Sequence, residues 1–268
     1  MARAKRHYLP GQIWHITHRC HQREFLLKFA RDRRCWLQWL HEAKRRYDLI
    51  ILNYIVTSNH IHLLVADDGD RETIPKSIQL IAGRTGQEYN QRKNRKGAYW
   101  EDRYHATAVE RGEHLSRCLV YIDLNMVRAG KVTHPSEWLW CGYNEIQKPR
   151  RKNLLIDYER LKDLLGFKSY EAFKTSHREW AEEELKTENN IRDEKWTRSI
   201  AVGGTGFVEN IKSSLGILAQ GRKIRDAGEG FELRESPDPY GDHFGAKKVD
   251  IGEENGYFWN DNIRISIG

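Results

Sequence analysis

Residues 49–65 read LIILNYIVTSNHIHLLV, two apolar runs separated by the polar triplet Thr57-Ser58-Asn59. Runs of this length rich in Ile, Leu and Val, joined by three turn-forming residues, are the pattern of a β-hairpin. This pairing commits the chain to a sheet before any other segment is considered. Side chains alternate across a strand, so His60 and His62 share one face while Ile61, Leu63 and Val65 take the other. The apolar row can cover a core and leave the histidine face accessible. Two neutral imidazoles on one face, joined by a third oxygen or nitrogen ligand, can hold a divalent ion; a pair of hydrogen-bonded surface histidines is the plainer alternative.

The flanking text gives the hairpin its neighbours. Gln12–Arg19, QIWHITHR, alternates as a first strand, and Ala30–Tyr47 carries Trp36, Leu37, Leu40 and Ala43 at helical spacing. After the hairpin, Arg71 to about Asn94 reads as a second helix with Ile74, Ile78, Ile81 and Ala82 on its buried stripe. A fourth strand is expected near Tyr104–Val109, and a third helix over Glu113–Ala129, stopped by Gly130. The order β-α-β-β-α-β-α predicts an α+β fold: a ferredoxin-like antiparallel sheet with helices on one face and an added helix.

Charge is uneven along the chain. Residues 1–150 hold 26 Lys and Arg against 16 Asp and Glu, a net +10, whereas the remainder is −3. A polyanion is the partner such a front half suits, since Lys and Arg on phosphates supply most sequence-independent nucleic-acid affinity. The segment RKNRKGAYWEDR offers Arg92, Lys93, Arg95, Lys96 and Arg103 to phosphates, with Tyr99 or Trp100 to stack on a base; core packing is the other reading of Trp100. Arg3, Lys5 and Arg6 read as a basic arm on the backbone. The four cysteines are widely spaced without a CxxC pair, which fits a reducing cytoplasm. No apolar run has the length of a membrane span, and the start of the chain has positive charge without a following apolar stretch, so a soluble cytoplasmic protein is expected.

The third helix carries two stripes. Leu115, Cys118, Leu119, Ile122 and Met126 repeat at the spacing of a buried face. Arg117, Tyr121, Asn125 and Arg128 form a second stripe beside it. Tyr121 and Asn125 stand one turn apart, and an amide oxygen there is a hard ligand suited to Mg²⁺ or Mn²⁺.

Three motifs in order, VTSNHIHLLV, GAYWEDRYHATAVE and YIDLNMVRAG, resemble the single-tyrosine HUH transposases, most closely the REP-associated tyrosine transposases, over residues 1–147. The resemblance implies that His60 and His62 are the metal-binding histidine pair, Tyr121 the nucleophile and Asn125 the metal-ligand amide of the same helix. Met126 and Ser58 stand where these proteins often have proline; neither change removes a chemical group. The implied reaction is metal-dependent cleavage and strand transfer of single-stranded DNA near REP-type hairpins, through a 5′-phosphotyrosine and a free 3′-hydroxyl, by a monomer or homodimer. Tyrosine normally titrates near pH 10, so its proton must be accepted or its pKa lowered; the metal, Arg117 and Arg128 are the candidates. The competing function is a catalytically idle DNA- or RNA-binding protein on the same fold. A metal hydrolase using water lacks the further His or Asp ligands such sites carry.

Residues 148–219 are expected to form an accessory helical region, with helices in IDYERLKDLLGF, SYEAFKTSHREWAEEELK and GFVENIKSSLGILA, and 220–268 an extended, Gly-rich tail.

Overall fold

The two strands of the hairpin, β2 (Ile50–Val56) and β3 (His60–Ala66), pair antiparallel through the turn at Thr57-Ser58-Asn59. The computed structural model describes residues 8–149, 152, 154–187 and 192–234. The basic arm at Arg3, Lys5 and Arg6 and the tail beyond Arg234 lie outside the described residues.

Strand β1 (Ile13–Arg19) lies antiparallel between β3 and β4 (His105–Val109), giving the order β2-β3-β1-β4 of a ferredoxin-like sheet. Helix α1 (Ala30–Tyr47) follows β1 and α2 (Thr73–Lys93) follows β3, and the two pack against each other. Both end on a left-handed residue, Asp48 and Asn94, side chains that tolerate positive φ. The buried stripes are close to those expected: Trp36, Leu40 and Ala43 on α1, and Ile74, Ile78 and Ile81 on α2. The expected α+β architecture is therefore present.

The added helix is broken once. Helix α3 (Glu113–Asp123) is followed by the short α4 (Asn125–Arg128), with Leu124 at φ −82° and ψ 5° between them. Gly130, at φ 62°, closes the pair as expected, its N–H donating to the Val127 carbonyl. Helix α3 stands on the sheet face that carries the histidines, where the Asn53 amide of β2 donates to the Asp123 carboxylate at 3.0 Å. Asp123 also meets His177 at 2.8 Å, both side chains fully buried.

Beyond these elements come α5 (Gly142–Gln147), α6 (Tyr158–Leu164) and α7 (Tyr170–Lys186). Asp157 caps α6 and Ser169 caps α7, each accepting from a first-turn N–H. The region is not helical throughout. A short α8 (Lys195–Arg198) leads into β5 (Ser199–Gly203), which pairs parallel with β4; α9 (Thr205–Leu215) follows, and then a hairpin of β6 (Lys223–Asp226) and β7 (Phe231–Arg234). Among the described residues the sheet thus has seven strands, ordered β2-β3-β1-β4-β5-β7-β6. The stretch from Gln220 to Arg234, expected as extended tail, supplies two of them. Its strands have four residues each, and most of β6 is exposed, so no apolar periodicity marks them.

Candidate active site

Register decides which side chains meet. Across β3 and β1, His60 pairs with Arg19, His62 with Thr17 and Leu64 with His15; across β1 and β4, His105 pairs with Thr17 and Thr107 with His15. Directly paired residues project to the same side. His60, His62, His15, His105 and Arg19 therefore populate one face.

Each of the two expected metal-ligating histidines has its Nδ1 engaged. The Nδ1 of His60 lies 2.7 Å from the Asn59 amide oxygen and 3.0 Å from the Thr57 hydroxyl. Because the Thr57 hydroxyl already donates to the His60 carbonyl, it can only accept from the ring. His60 is thus the Nδ1–H tautomer, and its Nε2 carries the lone pair. For His62, Nδ1 is 2.8 Å from Nε2 of the buried His15, and Nε2 is 3.0 Å from the side-chain nitrogen of Asn125. Burial holds all three rings neutral: His60 is lowered to about 4, with Arg19 and Arg192 adding to the effect, His15 to about 3, and His62 well below its usual value. Neutral imidazole is the form that ligates a metal.

Tyr121 is 7 % exposed and sits edge-on to both rings, 5.8 Å from His62 and 6.1 Å from His15 between centroids. The Arg128 guanidinium lies 4.3 Å from the centre of the Tyr121 ring and donates to the Tyr121 carbonyl. Burial raises the phenol pKa, and Arg128 and then Arg192 oppose that rise. The break at Leu124 leaves Asn125 one turn beyond Tyr121, so the stripe expected from the sequence survives it.

These groups line a cleft of about 1040 Å³ together with Arg19, Arg103, Arg128, Arg192 and Arg198. Its cations repel one another: burial lowers the pKa of Arg19, and Arg192 and Arg23 lower it further. An anion entering the cleft relieves that repulsion.

Of the expected site residues, His60, His62, Tyr121, Asn125, Arg103 and Arg128 line this cleft. Arg117 instead bonds Glu113 and Glu229. Arg92 is paired with the buried Asp32 and lines a smaller cavity between α1 and α2. Arg95 bonds the Ala98 carbonyl and reaches Glu24 at 3.4 Å, Lys93 lies over the Phe29 ring and Lys96 is exposed. Trp100 is half-buried, packs against His18 and donates to the Ala82 carbonyl. The sequence reading missed His15, Arg19, Arg192 and Arg198. For His15 and Arg19 the alternation of QIWHITHR held the signal, since both fall on one face of β1; nothing local to Arg192 or Arg198 marks them.

Two histidines whose Nδ1 atoms are engaged line the cleft with Asn125, whose amide can present Oδ1 on rotation, a mixed nitrogen and oxygen donor set of a kind that can hold a divalent cation. No cluster of three or more His, Cys, Asp or Glu suited to a metal occurs among the described residues.

Residues 10–125 match the family described as "Transposase IS200 like". Among solved structures, the chain is similar to a REP-associated tyrosine transposase bound to a REP hairpin, at 19% identity and a TM-score of 0.44, over 54% of this chain and 84% of that one. It is also similar to an inferred transposase from Deinococcus radiodurans R1, at 14% identity and a TM-score of 0.32, over 48% of this chain and 97% of that one. No curated protein matches it significantly.

Proposed function

We propose, from the match of residues 10–125 to the IS200-like transposase family, that this chain is a transposase that cleaves and rejoins single-stranded DNA beside hairpins, with Tyr121 as nucleophile and a divalent ion at His60, His62 and Asn125. The observation that carries this reading is the convergence of Tyr121 with two neutral histidines in an arginine-lined cleft.

A divalent ion held there would act as a Lewis acid on a non-bridging phosphate oxygen. His60 and His62 offer lone pairs because their Nδ1 atoms are already engaged. The Tyr121 oxygen attacks phosphorus, its O–P bond forming as the bond to the 3′-oxygen breaks; the product is a 5′-phosphotyrosine, and the 3′-oxygen leaves as a hydroxyl. Attack by another 3′-hydroxyl reverses the step, so strands are exchanged with no external energy source. Arg19, Arg103, Arg192 and Arg198 hold the flanking phosphates. Since burial raises the Tyr121 pKa, loss of its proton depends on positive charge in the cleft, and Arg128 and then Arg192 are the chain's own contributions.

Tyr121→Phe removes one hydroxyl from a ring of nearly the same shape. DNA affinity should stay within about threefold of the parent, a change of under ~0.7 kcal/mol. Cleavage of a labelled hairpin oligonucleotide in Mg²⁺ or Mn²⁺ and the covalent adduct on a denaturing gel should both vanish. Cleavage that persists in this variant assigns the attack to water, and a nucleotide mapped to Tyr99, Tyr104 or Tyr143 moves the nucleophile.

A further inference from the structure

Strand β1 carries a buried histidine that no step above uses. His15 is fully buried, with both ring nitrogens committed: Nδ1 lies 2.8 Å from the Trp196 carbonyl, and Nε2 lies 2.8 Å from Nδ1 of His62. The His15 and His62 planes differ by 10° and their centroids are 5.0 Å apart, the geometry of rings joined edge to edge through nitrogen and not laid face on face.

The proton positions follow from one end. A backbone carbonyl only accepts, so His15 places its N–H on Nδ1, toward Trp196. Its Nε2 then holds a lone pair, which can only accept. His62 must therefore place its own N–H on Nδ1, which leaves its Nε2 unprotonated and facing Asn125. Free imidazole in water favours neither end so strongly; here a carbonyl two rings away makes the choice.

We propose that His15 is a positioning residue: the Trp196 carbonyl fixes its tautomer, and His15 in turn fixes the tautomer and ring angle of His62 so that Nε2 is offered to the metal. The inference rests on the metal site proposed above. Metal-ligating histidines commonly donate their other N–H to a fixed acceptor, and loss of that acceptor typically costs ten- to a hundredfold in metal affinity. Here the acceptor is another imidazole, and its anchor comes from α8, seventy-one residues beyond the end of the family match at residue 125. The C-terminal region thereby acts on the metal site without supplying a ligand to it.

The test uses the full chain and Mn²⁺ alone, with free Mn²⁺ read by electron paramagnetic resonance. His15→Leu removes the acceptor and should weaken Mn²⁺ binding about ten- to a hundredfold. His15→Gln, whose amide oxygen can stand where Nε2 stood, should recover most of that loss. In parallel, long-range ¹H–¹⁵N NMR of the metal-free, unsubstituted protein should find His62 protonated on Nδ1, a readout that needs no variant to fold. A His62 proton on Nε2, or a folded His15→Leu protein with parental Mn²⁺ affinity, overturns the relay. Mn²⁺ affinity unchanged by His62→Ala overturns the metal site itself, and the NMR tautomer still judges the hydrogen-bond chain separately.

Discussion

His15, His60 and His62 make the folded protein dependent on pH in a direction their burial determines. All three have pKa values lowered from 6.5 by desolvation, His15 to about 3 and His60 to about 4. Above about pH 6.5 the rings are neutral in both folded and unfolded chains. As pH falls below that value the unfolded chain takes up protons that the folded chain refuses, so stability drops with pH, by about 1.4 kcal/mol per pH unit for each titrating histidine. Urea midpoints should therefore fall between pH 7 and pH 5, and His15→Gln should give a shallower fall. A midpoint that rises on acidification over that range contradicts neutral buried histidines. Of these residues, His60 and His62 were legible because they sit side by side on one strand; His15 was not, since its meaning depends on a partner 47 residues away in β3 and a carbonyl 181 residues away.

At the scale of elements, α3 is held by a buried polar chain as well as by its apolar stripe. Asp123, at the end of α3, accepts from the Asn53 amide of β2 at 3.0 Å and meets His177 of α7 at 2.8 Å; Gln147 of α5 reaches the other nitrogen of that ring at 3.0 Å. The chain ties three helices and a strand together two residues from Tyr121. Asp123→Ala removes the buried acceptor that His177 Nε2 and the Asn53 amide share and should cost about 1–3 kcal/mol, read by urea denaturation. Asp123→Asn keeps an acceptor for Asn53 and should cost less; equal costs for the two substitutions would show that lost packing, not lost bonding, governs the site. The elements themselves were readable wherever periodicity was long: α1 was placed from Ala30 to Tyr47, and β1 to β4 in their order. The break at Leu124 escaped because apolar spacing runs through it unchanged. Strand β5 escaped because its parallel pairing joins Ala108 to Ala201, and pairing over such a distance leaves no trace in either five-residue segment.

Positive charge reaches the cleft from both halves of the chain, and under the proposed function this separates two accounts of how DNA would be held. The sequence points to the basic run after α2, yet Arg92 there is already neutralised by the buried Asp32. The cleft instead gathers Arg19 and Arg103 from the front half with Arg192 and Arg198 from a region whose net charge is negative, so the overall charge skew understates it. Single-strand affinity falls with salt at a slope of about −0.7 per phosphate neutralised. Arg103 and Arg192 are exposed and line the cleft, so replacing both with Ala should shallow the log–log slope by about 1.4, with the fold intact. Arg92→Ala should leave the slope unchanged and lower stability instead, because it strands a buried carboxylate. Fluorescence anisotropy of a labelled hairpin oligonucleotide across a salt series measures both variants at once. A slope that shallows with Arg92→Ala but not with the paired cleft substitutions would place the DNA backbone along α2, away from Tyr121, and the cleft would lose its role in binding.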